Sequence, residues 1–177
     1  RRLSIIDLSE AGAQPMVSHS GRFVISYNGE IYNASEIRKE LITKGHSFRG
    51  NSDTEVLLEA CAEWGVDKAV PRMIGMFAFA LWDRKERRLA LVRDRLGIKP
   101  LYWGLFGNLF LFGSELKALR AQNRWPVALN RNAVASFLRF GYVPAPHAIY
   151  KGVHKLKPGS ILILDEKREP SIVPFWS

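Results

Sequence analysis

Between Met76 and Val92 the sequence sets two apolar runs, Met76–Trp82 and Leu89–Val92, on either side of the charged block Arg84-Lys85-Glu86-Arg87-Arg88. Each run is too short for a buried helix, and the block between them reads as a solvated turn, so the segment predicts a β-hairpin. The pattern recurs at Leu101–Phe106 and Leu109–Phe112, which turn at Gly107-Asn108. Ser160–Asp165 and Ser171–Val173 can pair in the same way across residues 166–170. Near the start, Arg2–Leu8 reads as a strand that enters a loop at Gly12 and Pro15. Gly21–Tyr27 is β-branched and aromatic and reads as a strand ending at Asn28-Gly29. Consecutive hairpins make antiparallel sheet and leave no room for a strand–helix–strand crossover pattern.

Helices fill the gaps between the strands. Asn33 with Glu36 three residues later forms a capping-box signature, Ile37 and Leu41 follow at helical spacing, and Gly45 supplies a stop. Ser52-Asp53-Thr54-Glu55 opens a second helix with the same signature, and its apolar face carries Val56, Leu57, Ala60, Cys61 and Trp64. A short helix follows Ser114, and another spans Arg131–Phe140 between an Asn130 cap and Gly141. Val143-Pro144-Ala145-Pro146 breaks regular structure, because proline removes a donor and restricts its predecessor. The fold class expected is α+β, with antiparallel sheets and helices packed on them.

Composition narrows the class further. At 177 residues, 47% hydrophobic and 24% charged, the chain has the profile of a globular domain that needs neither disulfide nor metal to fold. No apolar run reaches the roughly 18 residues of a membrane span, no secretory signal precedes the first strand, and a single cysteine suits a reducing compartment. These features predict a cytoplasmic domain with no membrane partner. The net charge of +9 is dispersed along the chain, which favours a solvated surface over a nucleic-acid interface. Binding that falls steeply with salt would favour nucleic acid instead.

Phosphate-binding glycine loops, the H-E-x-x-H zinc motif and the G-x-S-x-G elbow are all absent. His19, His46, His147 and His154 are isolated in sequence, without metal spacing. Polar residues placed where strands end carry what chemistry remains. Asn28-Gly29 is a common turn, yet an Asn amide beside a Gly N–H is also the make-up of an oxyanion hole. Glu30 beside them could hold a cationic amine. Asp53 reads equally as a helix-terminal carboxylate or as a second amine ligand. Arg2 could fork onto a carboxylate, or simply stand exposed. One arginine, two acids and an oxyanion hole would suit an amino-acid ligand.

Several blocks carry a family resemblance: Arg2-Leu3-Ser4-Ile5-Ile6-Asp7, Gly12-Ala13-Gln14-Pro15-Met16, Asn28-Gly29-Glu30-Ile31-Tyr32-Asn33 and Ser52-Asp53-Thr54-Glu55. Further on come Gly75-Met76-Phe77-Ala78-Phe79-Ala80, Arg93-Asp94-Arg95-Leu96-Gly97-Ile98-Lys99-Pro100-Leu101-Tyr102 and Ser114-Glu115-Leu116-Lys117-Ala118-Leu119. Together, and in this order over about residues 1 to 160, they resemble the glutaminase domain of glutamine-dependent asparagine synthetases, which are class II glutamine amidotransferases. The resemblance implies an N-terminal-nucleophile hydrolase fold, a four-layer αββα sandwich with two antiparallel sheets. It implies hydrolysis of glutamine to glutamate and ammonia, with the ammonia passed to a C-terminal synthetase domain that uses ATP and Mg2+ to amidate aspartate. By the same resemblance Arg2 binds the glutamine carboxylate, Ile5 and Ile6 give backbone contacts, Glu30 and Asp53 hold the α-amino group, and Asn28 with the Gly29 N–H forms the oxyanion hole. No metal or cofactor is expected in this domain. A homodimer is compatible with the family.

The family's nucleophile is a cysteine at the mature N-terminus, whose free amine acts as base. Cys61 lies mid-helix between Ala60 and Ala62, where an inert core thiol is expected. The sequence therefore reads as a truncated glutaminase domain over residues 1–160, with 161–177 a strand hairpin or linker toward an absent synthetase domain, and as catalytically silent by itself. Two alternatives stand beside this. One is an asparagine-synthetase-like amidotransferase acting on another carboxylate, such as a sugar acid of a polysaccharide; the other is a degenerate binding module of the same fold.

Overall fold

The computed structural model describes residues 12–123, 125, 128–167 and 169–176; the expected strand Arg2–Leu8, and with it Arg2, Ile5 and Ile6, lies outside the described residues. The described strands are β1 (Met16–Val17), β2 (Phe23–Ile31), β3 (Gly75–Asp83), β4 (Arg88–Arg93), β5 (Tyr102–Phe106), β6 (Leu109–Gly113), β7 (Val153–Lys155), β8 (Ser160–Leu164) and β9 (Ser171–Pro174). The helices are α1 (Ala34–Thr43), α2 (Asp53–Trp64), α3 (Val66–Ala69), α4 (Leu116–Arg120) and α5 (Arg131–Phe140). A six-stranded sheet in the order β1-β2-β3-β4-β8-β9 faces a three-stranded sheet in the order β6-β5-β7, and every pairing is antiparallel.

Side-chain alternation along the strands builds the layers. In β3, Phe77, Phe79 and Leu81 enter the main core, which they share with Ile37 and Leu41 of α1 and with Val56, Leu57, Ala60 and Cys61 of α2. The intervening Ala78 and Ala80 face the opposite way, into a second core with Leu91, Leu101, Leu156 and Leu162 between the two sheets. Beyond the small sheet, Leu116 and Leu119 of α4 close a third core against Tyr102, Phe106, Trp125 and Val153. Helices, sheet, sheet and helix make the four layers that the family resemblance implied.

The three expected hairpins form as β3–β4, β5–β6 and β8–β9. The last of these, in the segment expected as a strand hairpin or linker, pairs β8 along β4 from Leu89 to Arg93 and places Ile161 and Leu162 in the cores. Helix α5 also stands as expected: the Asn130 side chain accepts from the Asn132 and Ala133 amides, and Gly141 ends it at φ 76°. Two helix starts differ from the expectation. Asn33 caps nothing; its side chain donates to the Arg72 carbonyl and accepts from the Ile74 amide, which pins the turn after β2 to the segment before β3. Ser52 does cap α2, accepting from Thr54, but Glu55 reaches past it to the Arg49 and Gly50 amides.

Candidate active site

Strand β2 does not end in a turn at Asn28-Gly29. It runs on to Ile31, paired with β3 in the register Asn28↔Ala78, Gly29↔Phe77, Glu30↔Met76 and Ile31↔Gly75. Two glycines permit this close approach. A Cβ on Gly29 would land on the Met76 carbonyl oxygen and 2.7 Å from the Phe77 Cα, and one on Gly75 would land on the Glu30 carbonyl oxygen. Asn28 and Glu30 stand exposed on one face of the strand, whereas Tyr27 and Ile31 are buried on the other.

The direction of the Gly29 amide follows from its partner. Phe77 gives both of its backbone groups to Asp94: its carbonyl accepts from the Asp94 amide at 2.8 Å, and its own amide donates to Asp94 Oδ2 at 3.2 Å. Gly29 therefore faces Phe77 as a non-hydrogen-bonded pair, and its N–H is directed to the outer edge of β2, where β1 pairs only with Val24 and Ile25. The neighbouring outward amides are taken by side chains. Tyr27 N–H donates to Gln14 Oε1 at 2.6 Å, and Ile31 N–H donates to Asp53 Oδ2 at 3.0 Å. Between them the Gly29 N–H has no acceptor among the described residues.

Asp53, the first residue of α2, is buried, and its carboxylate does not serve its own helix end. Oδ2 accepts from the Tyr27 hydroxyl at 2.7 Å as well as from Ile31, and Oδ1 has no hydrogen-bond partner among the described residues. Burial, followed by the charges of Asp53 and Glu30, pushes the Tyr27 phenol far above its ordinary value, so it stays a donor. Asp53 and Glu30 together line a cleft of about 300 Å³, with Tyr32, Ser35, Arg38 and Asn51. Arg38 lies over the Phe48 ring at 4.4 Å. The structure thus brings the two acids to one cleft and sets Asn28 and Gly29 two and one residues before Glu30 on the same strand. Tyr27 and the Ile31 amide are the members that sequence reasoning missed; the phenol's place in an alternating strand offered the only signal, that it is buried.

Cys61 lies in the main core, and burial pushes its thiol up to about 12. Among the described residues no helix is long and apolar enough to cross a membrane, and no group of three or more His, Cys, Asp or Glu is placed to hold a metal ion.

Comparison with known proteins gives the family. A family model described as a glutamine amidotransferase domain matches residues 1–176. Asparagine synthetase [glutamine-hydrolyzing] 3 of Bacillus subtilis is 41% identical over the whole chain, and amidase chry2 of Gibberella zeae is 33% identical over 99% of it. The chain spans only 29% and 25% of the length of these two relatives. Among solved structures, the glutamine phosphoribosylpyrophosphate amidotransferase of B. subtilis, complexed with ADP and GMP, superimposes with a TM-score of 0.64 at 19% identity, over 94% of this chain and 32% of that one, a likeness of fold. The match over 176 of its 177 residues makes this chain a member of the glutamine amidotransferase domain family.

Proposed function

We propose that this chain binds glutamine for hydrolysis to glutamate and ammonia, as the glutaminase part of an amidotransferase of the asparagine-synthetase kind. The observation that carries the reading is the outer edge of β2, where a Gly29 N–H with no acceptor among the described residues lies between two amides already capped by side chains, beside the exposed Asn28 amide. Attack on the glutamine side-chain carbonyl turns its oxygen into an oxyanion, and these two donors would stabilise it. Glu30 and Asp53 would take the α-ammonium group in their cleft. Arg2 would pair with the α-carboxylate, and Ile5 and Ile6 would add backbone contacts.

The attacking sulfur is not Cys61, whose thiol is buried and protonated at neutral pH. The 177 residues alone would therefore bind glutamine without releasing ammonia. In the whole protein the ammonia would meet a carboxylate activated by ATP and Mg2+, with aspartate the default acceptor. The residues here do not fit that group, having neither a phosphate-binding glycine loop nor a metal-binding cluster among the described residues.

Calorimetric titration of the chain with L-glutamine tests the reading. Saturable binding is expected, weakened about tenfold or more by Glu30→Gln and by Asp53→Asn, with ammonia release at the buffer level. Absence of binding would overturn the glutamine assignment. Ammonia release that disappears in Cys61→Ser would overturn the role given to that thiol.

A further inference from the structure

We propose that Tyr27 is a positioning residue for amino-acid recognition: its hydroxyl fixes the Asp53 carboxylate so that one oxygen is occupied and the other is left for the ligand's ammonium group. This rests on the glutamine reading above and deepens it. The geometry has three parts. Asp53 Oδ2 receives two donors, the Tyr27 hydroxyl at 2.7 Å and the Ile31 amide at 3.0 Å, which fill it and stop the carboxylate from rotating. Oδ1 has no partner among the described residues, and Asp53 lines the 300 Å³ cleft together with Glu30.

The third part is the strand itself. Tyr27, Gly29 and Ile31 are alternate residues of β2, so the side chain that orients the ammonium ligand and the backbone amide that faces the developing oxyanion belong to one rigid element. The Tyr27 amide is itself held by Gln14 Oε1 at 2.6 Å. The spacing between the two ends of the ligand's binding site is thereby fixed by strand geometry rather than by a loop. Without the hydroxyl, Asp53 keeps only the Ile31 amide and can turn about its Cβ–Cγ bond, and its grip on an ammonium group weakens while contacts to the rest of the ligand persist.

Two ligands separate this from a merely structural role: L-glutamine, and glutaramate, which has the same chain and terminal amide but no α-amino group. Calorimetry on the wild-type chain should show glutamine binding tighter than glutaramate. In Tyr27→Phe, glutamine should weaken about fivefold while glutaramate is unchanged, and the chain should still melt cooperatively, at a lower midpoint because Asp53 loses a buried hydrogen bond. Asp53→Asn should cut the preference for glutamine more deeply than Tyr27→Phe does, leaving the part that Glu30 supplies. A reduced preference in Asp53→Asn but its full retention in Tyr27→Phe overturns the proposal and leaves the glutamine reading intact. An equal loss for both ligands in Tyr27→Phe, or a variant that no longer melts cooperatively, assigns the hydroxyl to structure and also overturns it. A preference untouched by Asp53→Asn brings down the reading of the site itself.

Discussion

At the scale of single residues, the glycine of Asn28-Gly29 shows how one position can serve packing and chemistry together. Its missing side chain lets β2 close on β3, since a Cβ would land on the Met76 carbonyl and 2.7 Å from the Phe77 Cα. Its amide is turned outward because Phe77 is committed to Asp94. Gly29→Ala should therefore destabilise the chain by about 3 kcal/mol, because the neighbours to be displaced are backbone atoms that cannot swing aside. Urea unfolding measures this, and a variant within 1 kcal/mol of wild type, on the scale of an ordinary surface change, would contradict the close approach. The sequence showed that a Gly was present but not which neighbour required it. Turn propensity and strand packing make the same demand for a residue without a Cβ, and only the β3 register tells them apart.

At the scale of elements, α2 departs most from its sequence pattern. Spacing marks an amphipathic helix, and Val56, Leu57, Ala60 and Cys61 are indeed buried. Its acids Asp53, Glu55 and Glu59 are buried as well, Asp53 and Glu59 through partners distant in sequence and Glu55 through the Arg49 and Gly50 amides just before the helix. Glu59 takes the His19 amide at 2.9 Å and the His19 ring at 3.3 Å, and its other oxygen meets His46 Nδ1 at 3.4 Å. His46 continues to Glu63, which also pairs with Lys44. Two histidines that looked isolated therefore clamp the loop before β2 and the turn after α1 onto one helix. Glu59→Ala should cost about 2 kcal/mol, by leaving an amide and two imidazoles without their shared acceptor, and Glu63→Ala, at an exposed pair, less than about 1 kcal/mol. Equal melting midpoints for the two variants would refute the clamp. Hairpins, helix α5 and the layer class were legible because they rest on local alternation, turn chemistry and caps. The partners of Asn33, Glu55, Glu59 and Asp53 were not legible, because a carboxylate or amide at a helix start has the same local signature whether it serves its own helix or another element. Of the candidate site, the two acids that line the cleft and the neighbouring Asn-Gly pair were singled out through family likeness more than through spacing.

At the scale of the whole molecule, stability should depend on acid in two separate windows set by two different layers. His154 of β7 packs against Trp103 with the rings tilted and 4.7 Å between centroids, and its pKa is lowered from the usual value by burial and then by His147. The unfolded chain takes up that proton near the ordinary histidine value of about 6.5, whereas the folded chain resists it. Its contribution is therefore present above that pH and is lost as pH falls toward the lower folded value. Asp83, at the end of β3, is held below the usual carboxylate range by its hydrogen bond from Arg22, with distances of 2.9 and 2.5 Å to the guanidinium. Its contribution is full above roughly pH 4 and is lost only as pH falls through the depressed folded value. Melting midpoints should consequently fall between about pH 7 and pH 5, and again below about pH 4. His154→Phe keeps a ring against Trp103 and should flatten the first fall relative to wild type, without touching the second. Asp83→Asn should do the reverse. A His154→Phe profile parallel to wild type through the first window would show that the small sheet does not sense acid through this residue.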